Sequence, residues 1–78
     1  MAHVLTFDEV SGMVGNKVYE EWICGTGAFE CTVVSRPSEN SVVLNRSADG
    51  ASYWAKRGEE YRYWDALPTD EERQFTAW

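Results

Sequence analysis

Seventy-eight residues leave room for one domain, spanning 1–78, because a second hydrophobic core would leave neither half enough surface to bury. Hydrophobic residues at 44% and aromatics at 14%, with four Trp and four Tyr, supply that core and exclude a disordered chain. Thirteen acidic against seven basic residues give a formal charge of −6, which argues against direct nucleic-acid binding and is compatible with simple solubility or with a protein partner bearing a basic surface.

Met1 to Asp8 shows no basic segment leading into an apolar run, and no stretch reaches the ~20 apolar residues that span a bilayer. A cytoplasmic protein without membrane contact is expected, with its two Cys reduced. Thr6 and Glu9 have capping-box spacing, Leu5 and Val10 stand where a hydrophobic staple would, and Phe7, Val10 and Val14 share a face. This predicts a short helix over about residues 7 to 13, limited by Gly12, Gly15 and Asn16.

Lys17 to Cys24 alternates, with Val18, Glu20, Trp22 and Cys24 on one side and Tyr19, Glu21 and Ile23 on the other. Gly25-Thr26-Gly27 supplies a turn, and Phe29 to Ser35 returns as the second strand of a hairpin. A symmetric turn sets Cys24 opposite Phe29 and Trp22 opposite Cys31. The apolar face is then Val18, Trp22, Cys24, Phe29, Cys31 and Val33, with Glu21 and Glu30 diagonal neighbours on the reverse side.

Arg36 to Ser41 is a polar break in which Pro37, lacking an N–H, is expected to end the ladder. Val42-Val43-Leu44 and Ser52 to Ala55 flank a turn whose Asp49-Gly50 pair supplies a positive φ. A turn containing Gly58 leads into Tyr61 to Trp64. Pro68 stops that strand, Thr69 and Glu72 repeat the capping-box spacing, and Phe75 with Trp78 should meet on one side of a helical turn, folding back to close an open end of the sheet. The expected fold is mainly β (α+β): a small, strongly bent antiparallel sheet or SH3-like partly open barrel of about five strands, with a short N-terminal helix and a short C-terminal helical turn. The alternative is an α+β sheet with the N-terminal helix across one face.

Chemistry is sparse. His3 sits in a segment expected to fray, without a nucleophile or carboxylate at motif spacing. Cys24 and Cys31 match no zinc or redox spacing and are diagonal in the register above, so both are expected as buried thiols. No catalytic residue, metal or cofactor is assigned, and the chain is expected not to be an enzyme. The rings of Tyr53, Trp54, Tyr61, Tyr63 and Trp64 suit either core packing or a peptide-binding groove like that of SH3 domains.

Tyr63-Trp64-Asp65, Pro68 to Arg73 and the final Trp78 together resemble the ending of small acidic, Trp-rich proteins encoded by phages and prophages, a class that includes anti-CRISPR proteins. The resemblance implies an inhibitor that binds a Cas complex in the host cytoplasm, and it carries no site residues. Read with the charge, it predicts an acidic protein-interaction module whose partner-binding residues are Glu20, Glu21, Glu30, Glu59 and Glu60. An SH3-like adaptor binding a peptide through aromatics is the alternative, and an exposed edge strand or aromatic patch makes a homodimer possible.

Overall fold

Residues that alternate with period two, interrupted by glycine-bearing turns, become strands here because a pleated strand sends successive side chains to opposite faces. The computed structural model describes residues 1–25 and 27–78, so Thr26, the centre of the expected first turn, lies outside the described residues. In chain order the elements are β1 (Val4–Leu5), α1 (Phe7–Ser11), β2 (Lys17–Trp22), β3 (Ala28–Ser38), β4 (Ser41–Arg46), β5 (Ser52–Lys56), β6 (Tyr61–Trp64) and α2 (Asp70–Phe75). The strands form one antiparallel sheet in the order β1-β6-β2-β3-β4-β5. β1 and β5 are its two edges, so the sheet is open. The fold is mainly β with two short helices, as expected, and the strand the sequence did not announce is β1.

That strand ties down the N-terminus, which is therefore not frayed. Val4 and Leu5 pair with Trp64 and Tyr63, and the Asp65 N–H donates to the His3 carbonyl at 3.0 Å. The Ala2 N–H donates to Glu72 Oε2 at 2.9 Å.

One face of the sheet carries the hydrophobic core: Val18, Cys31, Val33, Val42, Leu44, Ala55 and Tyr63, covered by Val10 of α1. Each fully buried aliphatic side chain of this kind contributes roughly 1.5–3 kcal/mol. Both capping boxes form. Thr6 Oγ1 accepts from the Glu9 N–H at 3.1 Å while Glu9 Oε1 accepts from the Thr6 N–H at 2.8 Å, and Thr69 with Glu72 repeats the exchange at 3.1 and 3.0 Å. Gly12 caps α1 directly after Ser11, so the helix stops before Val14, which is 52% exposed instead of sharing the buried face. Gly50 has φ +72° and Gly58 φ +86°, the left-handed conformations their turns require.

Four expectations are corrected. The β2–β3 register sets Cys31 opposite Val18 and Phe29 opposite Glu20, where a tight turn would have set Cys31 opposite Trp22. The reason is that Ile23 stays with β6, its N–H donating to the Glu60 carbonyl at 3.1 Å, so the connection over 23–27 is longer than a tight turn. A shift from Trp22 to Val18 is an even number of residues, so every side chain keeps its face. Cys24, however, is carried out of the ladder and is exposed, while Cys31 is buried.

Pro37 does not end β3, which runs on to Ser38 with register shifts between Val33 and Ser35 and between Ser35 and Ser38. β2 pairs with β3 only as far as Thr32, so Pro37 lies where β3 has β4 alone as a neighbour and within a register shift, a place where a strand tolerates proline. Phe75 and Trp78 do not meet over an open end of the sheet. Phe75 is 82% exposed, and Trp78 stacks on Arg62 with its ring centroid 4.3 Å from the guanidinium carbon.

Candidate functional site

β2 lies inside the sheet between β6 and β3, with both of its strand edges paired. Its two consecutive carboxylates, Glu20 and Glu21, were expected on an accessible acidic face. They are 1% and 5% exposed, and pleating sends them to opposite sides. On the core side, Glu20 Oε1 accepts from Trp22 Nε1 at 2.8 Å and from the Tyr53 hydroxyl at 2.9 Å, and Oε2 accepts from the Tyr63 hydroxyl at 3.0 Å. Cys31 Sγ lies 3.2 Å from the same Tyr53 hydroxyl. On the reverse side, Glu21 Oε1 accepts from Arg62 Nε and Trp64 Nε1, both at 2.8 Å, and Oε2 lies 3.7 Å from Arg73.

These surroundings set the titration of the neighbours. Burial, reinforced by the bond to Cys31 and the Glu20 charge, holds the Tyr53 phenol far above its ordinary value, and burial together with the Glu20 charge does the same to Tyr63. Burial also pushes the Cys31 thiol up, away from the reactive thiolate. The network is therefore a set of neutral donors closed around one carboxylate.

The other three predicted acids stay nearer the surface. Glu30 bonds Lys17 Nζ at 2.9 Å and the Ser47 hydroxyl at 3.0 Å, and the bond from Lys17 holds its carboxyl below the ordinary range. It remains a diagonal neighbour of Glu21 in the sheet, yet only Glu30 reaches solvent. Glu59 and Glu60 are exposed in the turn entering β6.

Two adjoining hollows open at this end of the sheet. One, of about 330 Å³, is lined by Trp22, Ile23, Cys24, Glu59, Glu60 and Tyr61. The other, of about 240 Å³, lies among Phe7, Lys56, Glu59, Tyr61, Arg62 and Trp78, with Leu5 below. Glu59 and Tyr61 border both, so together they make a groove. The Trp22 ring lies 5.7 Å from Tyr61 and 6.4 Å from Phe29. Glu59 Oε1 accepts from the Lys56 N–H at 2.7 Å, which fixes that carboxylate at the rim. Burial and the Glu59 charge raise the Tyr61 phenol, so the ring stays neutral and electron-rich at physiological pH. Aromatic faces beside fixed carboxylates attract cations by both the ring quadrupole and the charge.

Of the aromatics expected to form a groove, Tyr61 and Tyr63 line this one. Trp64 is 1% exposed, bonded to Glu21 with Arg62 over its ring, Tyr53 is spent on Glu20, and Trp54, 61% exposed, lies on the edge strand β5. Phe7, Trp22 and Trp78 belong to the groove and were missed, because helix entry, the pairing of Trp22 with Tyr61 and the stacking of Trp78 on Arg62 bring them there. His3 is exposed with Nδ1 3.4 Å from Asp65 Oδ2. Among the described residues no cluster of three or more His, Cys, Asp or Glu is placed to hold a metal, and no helix is long and apolar enough to cross a membrane. Comparison with protein-family models, with curated proteins and with solved structures finds no match.

Proposed function

We propose that this chain is a protein-interaction module whose groove between Trp22 and Phe7 takes a cationic segment of a partner protein. The observation that carries the reading is the exposed Glu59–Glu60 pair on the rim of hollows walled by Trp22, Tyr61, Phe7 and Trp78. Lys or Arg side chains of the partner would stack on the rings of Trp22 and Tyr61 and face the carboxylates, since Phe7 and Trp78 already carry Arg57 and Arg62 of the chain itself, while the net charge of −6 steers their approach. The acidic patch is thus smaller than the five glutamates of the sequence reading, and it is joined to the aromatic groove instead of competing with it.

A basic, nucleic-acid-binding surface of a host Cas complex is the partner class implied by the phage-protein resemblance of the C-terminal segment. The residues carrying that resemblance have intramolecular roles: Trp64 bonds Glu21, Thr69 and Glu72 cap α2, and Trp78 stacks on Arg62. Support for the reading therefore comes from the groove, and it specifies a cationic protein segment.

Binding of a fluorescein-labelled arginine-rich peptide, followed by anisotropy at low and high salt, tests it. Glu60→Lys should weaken binding by about fivefold to tenfold and flatten its salt dependence, and Tyr61→Leu should weaken it at both salts. Glu30→Lys, on the reverse face of the sheet and outside the groove's lining, should change it little. Equal losses for Glu30→Lys and Glu60→Lys would reduce the interaction to net charge and defeat the groove.

A further inference from the structure

The open edge of the sheet at β5 presents backbone groups whose count fixes how another strand can meet them. Bonds from the Arg46 N–H to the Ala51 carbonyl and from the Arg57 N–H to the Asn40 carbonyl, both 2.8 Å, bracket the β4–β5 ladder. Between them Leu44 faces Tyr53 and Val42 faces Ala55. Antiparallel pairs alternate, so Ala51, Tyr53, Ala55 and Arg57 turn their main chain toward β4, and Ser52, Trp54 and Lys56 turn theirs outward. Lys56 is already closed: its N–H donates to Glu59 Oε1 at 2.7 Å and its carbonyl accepts from the Glu59 N–H at 3.3 Å. The outward N–H and C=O of Ser52 and Trp54 are the groups left to the edge.

We infer that this edge pairs with β5 of a second copy of the chain, antiparallel, with Trp54 of each copy opposite Ser52 of the other. That register joins all the outward groups of Ser52 and Trp54 in a closed set of reciprocal N–H···O bonds. Setting Trp54 against Trp54 would halve the bonds and bring Ser52 against the closed Lys56. The pairing places Asp49 across from Arg57 of the second copy and Lys56 across from Gly50, so no like charges oppose along the edge. It also makes the two Trp54 rings, each 61% exposed in the single chain, diagonal neighbours within reach of each other on the outer face. Tyr53 falls on the two-fold axis with its hydroxyl committed inward to Glu20 at 2.9 Å. Glu59 ends the ladder on one side, and on the other Gly50, whose carbonyl accepts from Asn45 Nδ2 at 2.8 Å, ends it; because the contact is two-fold, each copy's β5 edge is used up by the other.

Sedimentation velocity of the intact chain from micromolar to millimolar concentration, with amide hydrogen exchange on the same samples, tests this. A reversible dimer is expected, with the Ser52 and Trp54 amides slowing as concentration rises and the Lys56 amide unchanged. Ser52→Pro deletes one edge donor per copy and Trp54→Lys places charge at the ring contact. Each should raise the dissociation constant by at least about tenfold with the far-ultraviolet circular dichroism intact. A chain that stays monomeric at millimolar concentration overturns the inference, as does a dimer whose protection appears elsewhere, for instance at Tyr61. Should either variant fail to fold, the exchange pattern of the native chain decides the matter alone.

Discussion

Glu20 and Glu21 are neighbours in sequence, equally hidden, and held in opposite ways. Glu20 is enclosed by neutral donors, the indole of Trp22 and the phenols of Tyr53 and Tyr63. Glu21 is enclosed by charge, with the guanidinium of Arg62 at 2.8 Å and that of Arg73 at 3.7 Å beside the Trp64 indole. The difference shows two solutions to the same cost. A buried carboxylate is tolerated either when hydrogen bonds replace its water one for one or when an opposite charge is buried with it. The first leaves a negative field that keeps neighbouring phenols protonated. The second leaves little field but makes each partner dependent on the other.

That dependence predicts the largest effect. Glu21→Ala leaves Arg62, itself 5% exposed, as a buried cation without its carboxylate and should cost about 3–5 kcal/mol in urea unfolding. Glu20→Gln keeps the shape and an acceptor for the phenols and should cost less, about 1–3 kcal/mol. Equal costs would break the contrast between the two faces.

The tyrosines sharpen it. Their folded values lie above the unfolded value of 10.0, so their contribution is fully present below pH 10 and is lost as the solution becomes more alkaline. Ultraviolet titration should show Tyr53 and Tyr63 ionising only as the chain unfolds, and Glu20→Gln, by destabilising the fold, should bring that transition to lower pH. Early ionisation in the native protein would refute the closed network.

Acid should bring the smallest change. Asp8, Glu30, Asp65 and Glu72 are held below 3.8 or 4.5 by Arg57, Lys17, the His3 N–H and the Thr69 N–H respectively. Their stabilisation is present above the ordinary carboxylate range and is lost as pH falls through the folded values, so the melting temperature should decline gently below about pH 4.5.

Local chemistry was the legible part of the fold. Thr6 with Glu9, Thr69 with Glu72, and Gly50 in its turn each specify their conformation within a few residues, and each formed as expected. The faces of β2 and β3 were legible too, because even a wrong register of this size preserves parity. The two buried glutamates were misplaced although a signal existed: Val18, Glu20 and Trp22 fall on one side of an alternating strand, which puts Glu20 among core residues. What made its burial tolerable, Tyr53 and Tyr63, lies 33 and 43 residues away along the chain, and such long-range partners leave no local mark. The groove was only partly legible for the same reason. Glu59, Glu60 and Tyr61 are contiguous, but Phe7, Trp22 and Trp78 arrive from three separate parts of the chain.

Arg62 does more than neutralise Glu21. Its remaining nitrogens donate to the carbonyls of Arg73 at 2.8 Å and Thr76 at 2.7 Å, the groups a helix leaves without partners at its C-terminal end. α2 buries none of its residues and spans only Asp70–Phe75, far too short to persist by its own hydrogen bonds. A strand side chain therefore serves as the C-cap of a helix, and the last turn of the chain acquires its shape from the sheet. Helix content at that end should vanish together with β6, making the C-terminal segment a reporter of whether the central strands are in place.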